Sequence, residues 1–568
     1  MLSHGYTPFH WTLSFLLACL VLPSQLFADC GGRYTDIETI QGKGLVSPMV
    51  GKTVITEAVV TAVFQQSDQL GGFFIQGDDK SAQHSHGLFV YSRLPMVPGE
   101  RVRLSGKVRE FYQHTEINDV KLLNRCGSQE LPKPFNISWN ADLNREALEG
   151  VLVSVPDSVI NWHNQLLRFG QIRISDKRHY ASDSSTQEWI VDDASSKTFP
   201  PSAPFFPDFN AEQRMRLGAT LKPFSAIVSF GFEEYRLYPI EPVYADQTIH
   251  SRLPAKPTTN LRLATSNVFN LFNGNGEQGA FPAIRGAKTY AEYQRQLQKI
   301  VKGLVALNAD VIVLNEIEND GFADLSALTQ LLLALNENQS DKDFKAIEFE
   351  KSQRGTDAIT NAIIYDAKTV RPIGSGESTT QAGSLAWGDK LHRPGLVQTF
   401  RDVKSAKEFR VVALHLKSKA GKCSNDTVAS TKKYGACNNQ RLDAVQKLIA
   451  WLAQGDASMP IFIMGDLNSY LHEPPVQKLL QSGYQNPNLE ASDYSYAFDG
   501  QIGTLDYILS NSAGMQWWQT SDYWHVNADE LPFLDYKIET APHTWLSWSD
   551  TSFVRYSDHD PVYVDLKL

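Results

Sequence analysis

Residues 250–260 read HSRLPAKPTTN, and the chain follows different periodicities on either side of them. Between about 50 and 125 the stretches TVITEAVVTAVFQ, GGFFIQG, GLFVYS and GERVRLSGKVREFYQHTEINDVKLL alternate with period two, broken by glycines. Such alternation with β-branched residues predicts an all-β module. A second block, 131–250, ends in GATLKPFSAIVSFGFEEYRLYPIEPV, which echoes the end of the first and implies two small barrels of related design. Within it, SKTFPPSAPFFPDFNAEQ is proline-rich and reads as a long loop. Beyond 260 the helix-period stretches TYAEYQRQLQKIVKGLVALN and NNQRLDAVQKLIAWLAQ are each followed by an apolar strand, ADVIVLNEIEN and MPIFIMGDLNS. More strands follow at TNAIIYD, FRVVALHLKS, GTLDYILS and PVYVDLKL, which together predict a layered α/β domain. A chain of 568 residues exceeds what one core supports. The expected division is a signal peptide at 1–28, a β module at 29–130, a second at 131–250, a linker at 251–260 and the α/β domain at 261–568.

The first 28 residues carry no Lys, Arg, Asp or Glu, and WTLSFLLACLVL followed by PSQLFA reads as a secretory signal cleaved after Ala28. A lipid anchor on Cys19 is the alternative, opposed by the apolar run continuing past it. Export leaves four cysteines, and pairing between sequence neighbours predicts Cys30–Cys126 and Cys423–Cys437, with four free thiols as the other reading. The formal net charge of −10 disfavours passive gripping of nucleic acid, which normally uses a Lys/Arg surplus. It suits an enzyme whose cations are metals held by carboxylates.

Polar residues in the α/β half gather at strand ends. Asn267 follows LRLATS, Glu316 closes VIVLN, His415 closes VVAL, and Asp466 and Asn468 follow IFIM. Asp506 lies in TLDYIL, and Asp558, His559 and Asp560 stand together before the last strand. Singly each has an ordinary explanation: a turn cap, a solvated carboxylate, an Asx-turn, a satisfied core histidine. In conjunction they can converge on one rim of a sheet, where a rigid scaffold positions a site.

The motifs SNVFN, LNEIEN, ALHLKSK, MGDLNS, TLDYILS and SDHDPV resemble the endonuclease/exonuclease/phosphatase superfamily over roughly 261–568. GTDAITNAIIYD, HRPGLVQTF and GDLNSYLHEPPV narrow the resemblance to large secreted bacterial nucleases of the ExeM/NucH type, with an oligonucleotide-binding (OB) fold module upstream. The resemblance implies a multidomain chain: N-terminal all-β OB-like modules followed by a four-layered α/β sandwich with its site at one rim. It implies that Glu316 binds a divalent cation, Mg²⁺ first, with Mn²⁺ or Ca²⁺ as alternatives. Asp558 is a second candidate ligand, and Asn267 completes the metal or phosphate site. His559, oriented by Asp506, takes a proton from the attacking water and His415 protonates the leaving oxygen, although cleavage direction decides which histidine is acid and which base. Asp466 and Asn468 position water, metal or phosphate oxygens, and Asp560 is structural. Arg393 binds phosphate, with a surface arginine as the alternative, and Lys417 and Lys419 follow the backbone of the polymer. Asp357 falls near the place of a carboxylate that orients the first histidine, whereas His392 has no role.

Upstream, Phe64, Phe73, Phe74, Phe89, Tyr91, Phe111 and Tyr112 are core residues or stacking platforms, with core favoured. Arg101, Arg103, Lys107 and Arg109 alternate along one strand, as a backbone-binding stripe or a solvated face. Lys422, Lys432 and Lys433 sit in the loop between Cys423 and Cys437 or at its edge and read first as a solvated surface, second as a substrate contact. The expectation is a secreted, monomeric, metal-dependent nuclease acting on DNA, with RNA left open, and with no protein partner and no membrane insertion. Two alternatives are a phosphodiesterase of the same fold acting on phospholipid or inositol phosphate, and a catalytically inactive nucleic-acid-binding protein.

Overall fold

The computed structural model describes residues 30–78, 84–139, 142–183, 187–198, 205–207, 215–246, 253–254, 260–276, 280–387, 393–537 and 552–568. The signal segment 1–28, most of the linker 251–260, and His392 lie outside the described residues. The chain separates into two compact units, residues 1–135 with 144–152 and 227–233, and residues 136–143 with 153–226 and 234–568.

In the first unit the alternating stretches form a closed five-stranded barrel. Thr53–Phe64 pairs with Gly72–Gln76, which pairs with Gly87–Tyr91, and His114–Ser128 and Glu100–Phe111 complete the circuit. Val54, Val60, Phe73, Ile75, Val90, Val102 and Leu104 fill it. A disulfide joins Cys30 to Cys126. Phe64, Phe73, Phe74 and Phe89 are buried, whereas Tyr91, Phe111 and Tyr112 are exposed. The basic stripe is not a uniform face. Arg103 is 0% exposed, pairs with Glu57 at 3.0 Å and donates to the Gly32 and Arg33 carbonyls. A buried guanidinium survives only when so paired, and Arg103 is unable to meet a phosphate.

In the second unit, two sheets carry the α/β half. One has six strands, in the order Phe344–Ala346, Ile359–Asp366, Val311–Glu318, Leu261–Leu271, Val562–Leu566, Trp518–Tyr523. The other has five, in the order Val370–Ser378, Leu396–Asp402, Glu408–His415, Ile461–Asp466, Asp506–Ser510. Alternation assigns the faces. Val411, Ala413, Phe462, Met464 and Ile508 share one core with Leu261, Leu263, Val311, Val313, Val562 and Val564 of the other sheet. The intervening residues Val412, Leu414, Ile463 and Leu509 pack with Ala444, Val445, Leu448 and Leu452 of the helix Asn438–Leu452. Each fully buried Val or Leu there contributes about 1.5–3 kcal/mol, so this helix is held by its apolar stripe. The helix Tyr290–Leu307 starts at Thr289, whose hydroxyl caps the Glu292 N–H at 3.2 Å.

The strands of 153–226 in this unit form antiparallel pairs, Ser158–Trp162 with Ile172–Ser175 and Ile172–Ser175 with Trp189–Val191. A two-residue strand, His179–Tyr180, leaves that set and pairs in parallel with Gln501–Gly503 of the α/β half. A second disulfide joins Cys423 to Cys437. Among the described residues no helix is long and apolar enough to cross a membrane.

Candidate active site

Two parallel strand pairs, one in each sheet, create the rim. Leu261–Leu271 runs parallel to Val311–Glu318, and Glu408–His415 runs parallel to Ile461–Asp466. At the carboxyl ends of the second pair His415 lies opposite Asp466, and Asp466 lies opposite Asp506 on the next strand. Their alternation matches Val411, Met464 and Ile508, so all three side chains stand on the face turned to the other sheet. Asn267 and Asn315 oppose each other in the first pair.

Strict alternation would place Asn315 toward the gap between the sheets and turn Glu316 away. Asn315 does face inward: its amide donates to Asn361 Oδ1 and the Leu414 carbonyl, each at 2.9 Å, and its Oδ1 accepts from Asp466 N at 3.1 Å. This one buried side chain ties the two sheets together beneath the site. Glu316 reaches the site because the pairing register slips between Leu314 and Ile317, where its φ is +66°. Phe269 and Asn270 on the neighbouring strand also take positive φ, at another register slip. Bulges commonly re-aim side chains beside functional sites, and positive φ at bulky residues is costly unless the surroundings impose it. Asn270 donates to Glu316 Oε2.

His559 Nδ1 meets Asp506 Oδ2 at 2.7 Å. Ser495 Oγ donates to the same carboxylate oxygen at 2.7 Å, and the Tyr496 ring lies 4.5 Å from the imidazole, centroid to centroid. Asp466 Oδ1 accepts from Asn468 N at 2.7 Å, and its Oδ2 lies 3.4 Å from His415 Nε2. Asn468 also donates to the Leu416 carbonyl at 3.1 Å. The ligand atoms of Asp466, Asp506 and His559 all fall within 4.8 Å of one another. The other such group among the described residues, Cys423, Asp426 and Cys437, has its two sulfurs joined in a disulfide.

Charge is unevenly settled here. Burial pushes Asp466 up to about 7, with Asp506 and Glu316 adding to the effect and His559 opposing it. Burial also raises Glu316, and the carboxylate of Asp558 raises it further. His415 is driven well below the usual imidazole range by burial, then by Arg393 and His559. Burial disfavours the His559 imidazolium too, but Asp506, Asp558 and Asp466 together hold its proton well above that range. Three carboxylates thus favour a proton on His559, whereas burial and Arg393 disfavour one on His415 even with Asp466 3.4 Å away.

Several buried atoms lack a hydrogen-bond partner: Asp506 Oδ1, His415 Nδ1 and Arg393 Nε. The Phe269 N–H donates to Asn267 Oδ1 at 2.8 Å, which fixes that amide and leaves its donor nitrogen near Glu316. Arg393 is buried, donates to the Leu416 carbonyl at 2.6 Å, and lies 3.4 Å from Asp357. Asp357 is shared by Arg285 at 3.1 Å, so its partners here are arginines rather than His415. Asp558 is half-buried beside Glu316. Lys417 is half-buried near His415, whereas Lys419 is engaged by Glu473 and the Tyr434 carbonyl. Asp560 accepts three backbone N–H groups, from Val526, Asn527 and Ala528, at 2.7–3.0 Å, and it anchors the loop rather than the site.

Asn270, Asn315, Ser495 and Tyr496 were not singled out from sequence. Only Asn315 carried a signal there, as an amide closing the apolar run VIVL.

Residues 264–559, just over half of the chain, match the family model described as the Endonuclease/Exonuclease/phosphatase family. No curated protein matches the chain. Solved structures that align include an endonuclease/exonuclease/phosphatase from Bacteroides vulgatus, at 11% identity and TM-score 0.34, over 55% of this chain and 100% of that one. The human Nocturnin catalytic domain with bound sulfate anion aligns at 15% identity and TM-score 0.33, over 55% of this chain and 95% of that one. TDP2 from D. rerio complexed with single strand DNA product aligns at 14% identity and TM-score 0.33, over 54% of this chain and 99% of that one.

Proposed function

The chain belongs to the endonuclease/exonuclease/phosphatase family, and from that premise we propose that it is a secreted, cation-dependent nuclease hydrolysing extracellular DNA with little sequence preference. The observation that carries this reading is the convergence of Asp466, Asp506 and His559 at one rim, where burial raises Asp466 to about 7 and the Asp506 carboxylate helps hold the His559 proton well above the usual imidazole range. Such displacements mark functional sites when they arise from burial plus specific charged neighbours.

Glu316 and Asp558 are half-buried oxygen donors close enough for the Asp558 carboxylate to raise Glu316. Hard carboxylate oxygens of this kind suit Mg²⁺, Mn²⁺ or Ca²⁺ rather than zinc. A divalent cation held there supplies Lewis-acid neutralisation of charge developing on phosphorus. The Asn267 amide nitrogen and the Arg393 guanidinium donate to the non-bridging phosphate oxygens. With Nδ1 committed to Asp506, His559 presents Nε2 to the substrate. Asp466, near 7, is matched to accept the proton of the attacking water at neutral pH. The His559 imidazolium gives its proton to the departing oxygen as the P–O bond breaks, leaving a phosphate monoester and an alcohol. His415 stays neutral and faces Asp466, which it orients.

In this reading residues 261–568 form the four-layered α/β sandwich, the five-stranded barrel is an OB-like module, and residues 1–28 direct export. One gel tests the reading: purified protein with supercoiled plasmid, linear duplex or RNA, in Mg²⁺, Mn²⁺, Ca²⁺ or chelator. Nicked circles with Mg²⁺ and intact plasmid with chelator are expected. No cleavage of any polynucleotide with any cation would overturn the assignment, and turnover of sphingomyelin liposomes instead would transfer it to lipid phosphodiesters.

A further inference from the structure

Beside the His559–Asp506 pair stand three consecutive residues, Tyr494, Ser495 and Tyr496, of which the last two touch the pair. Tyr496 lies against the His559 ring, and Ser495 Oγ donates to Asp506. The Ser495 carbonyl also accepts from Asp560 N at 2.7 Å, next to His559 in the chain. Tyr494 points elsewhere. Its hydroxyl donates to Asp529 Oδ2 at 2.6 Å, and its ring stacks on His525 at 3.8 Å with a 5° interplanar angle. His525 Nδ1 meets Asp560 Oδ2 at 3.0 Å.

What fixes Tyr494 and Asp529 comes from the second β module. The Arg178 guanidinium binds Asp529 through both terminal nitrogens and lies 4.4 Å from the centroid of the Tyr494 ring. Asp529 is 0% exposed, so Arg178 is its principal counter-charge. Gly218 leaves room for the guanidinium: a Cβ at that position would come within 3.0 Å of it, and its φ of +85° favours glycine. Nearby, Arg216 pairs with Glu530 at 2.9 Å and donates to the His525 carbonyl at 3.0 Å. Leu217 N donates to the Asp529 carbonyl at 3.0 Å, and His179–Tyr180 pairs with Gln501–Gly503. The segment 494–503 is therefore held at one end by Arg178 and at the other by His179–Tyr180, while Arg216 and Leu217 hold residues 525–530.

We propose that Arg178 is a positioning residue for the His559–Asp506 pair, acting through Asp529 and the segment 494–496, so that the second β module is part of the catalytic machinery. The inference rests on the nuclease reading above for its activity readout. A bidentate fork over a ring is a contact that lysine reproduces in charge but not in geometry. Misplacement of reacting groups by about 1 Å costs on the order of a hundredfold in rate.

The test compares wild type, Arg178→Ala, Arg178→Lys and Tyr494→Phe for plasmid cleavage in Mg²⁺, with thermal melting and an NMR record of the His559 Nδ1–H resonance. Arg178→Ala is expected to lower kcat by about tenfold to a hundredfold with KM changed less than about twofold. Arg178→Lys should recover part of kcat. Tyr494→Phe keeps the ring on His525, guards against a fold lost in Arg178→Ala, and should lower kcat by a smaller factor. The Nδ1–H resonance should move or broaden in Arg178→Ala, and this readout needs no turnover. An inactive wild type would sink the nuclease reading while leaving the resonance to judge the positioning. Folded variants with wild-type kcat and an unmoved resonance would overturn the positioning role.

Discussion

The barrel and the rim both bury carboxylates, and they treat them oppositely. In the barrel, Glu57 receives the Gly31 N–H at 3.0 Å, Arg101 at 3.0 Å and Arg103 at 3.0 Å. Burial alone would raise its pKa, yet these donors hold it below the ordinary value. At the rim Asp466 and Glu316 are raised instead, and Asp506 keeps a buried oxygen with no partner. A charge that is buried and satisfied belongs to the architecture. A charge that is buried and left short of partners is being kept for something that arrives later. Residue type does not separate the two cases, because acids and arginines occur in both.

The contrast is broken most severely if a rim residue proves structural. Glu316→Ala and His559→Ala should each lower plasmid cleavage by about a hundredfold to ten-thousandfold, with melting within a few degrees of wild type. Matching losses of folding would return both to the architecture. The reverse experiment is Glu57→Ala, which strands Arg103 at 0% exposure. Removing one partner of a buried pair costs about 3–5 kcal/mol, so denaturant unfolding should show that loss while kcat of the remaining folded enzyme is unchanged. Added Mg²⁺ sharpens the comparison by stabilising the rim alone. At a hundred times Kd it should add about 2.7 kcal/mol, and Glu316→Ala should abolish the gain while Glu57→Ala preserves it.

The smallest effect concerns pH in the cation-free protein. Asp466 has a folded pKa of about 7, above its unfolded value. Its favourable contribution is complete below the unfolded pKa and is lost as pH rises through 7. Asp466→Asn imitates the protonated form. It should therefore melt a few degrees above wild type at pH 8, with the advantage shrinking toward pH 5. An advantage that grows on acidification would contradict the raised pKa.

Much of this site was legible because its residues close apolar runs. The strand ends IFIM–Gly465–Asp466 and VVAL–His415 announce a polar group at a sheet rim without any knowledge of pairing. Register was not legible. That His415, Asp466 and Asp506 fall opposite one another is a property of which strands pair, and no local pattern encodes it. Glu316 shows the limit most clearly, since perfect alternation would turn it away and only a bulge returns it. Arg103 shows the converse: its alternation with Arg101 and Lys107 looked like a solvent-facing stripe, but its partner Glu57 lies 46 residues earlier. The contribution of Arg178 was hidden for the same reason, its carboxylate being 351 residues away.

The most direct test of the whole account is an anomalous difference map from a crystal of the protein grown with Mn²⁺. The account predicts a strong peak at the rim, ligated by Glu316 and facing Asp466 and His559. An active enzyme whose ordered Mn²⁺ lies away from Glu316, or whose rim stays empty at saturating Mn²⁺, would contradict it.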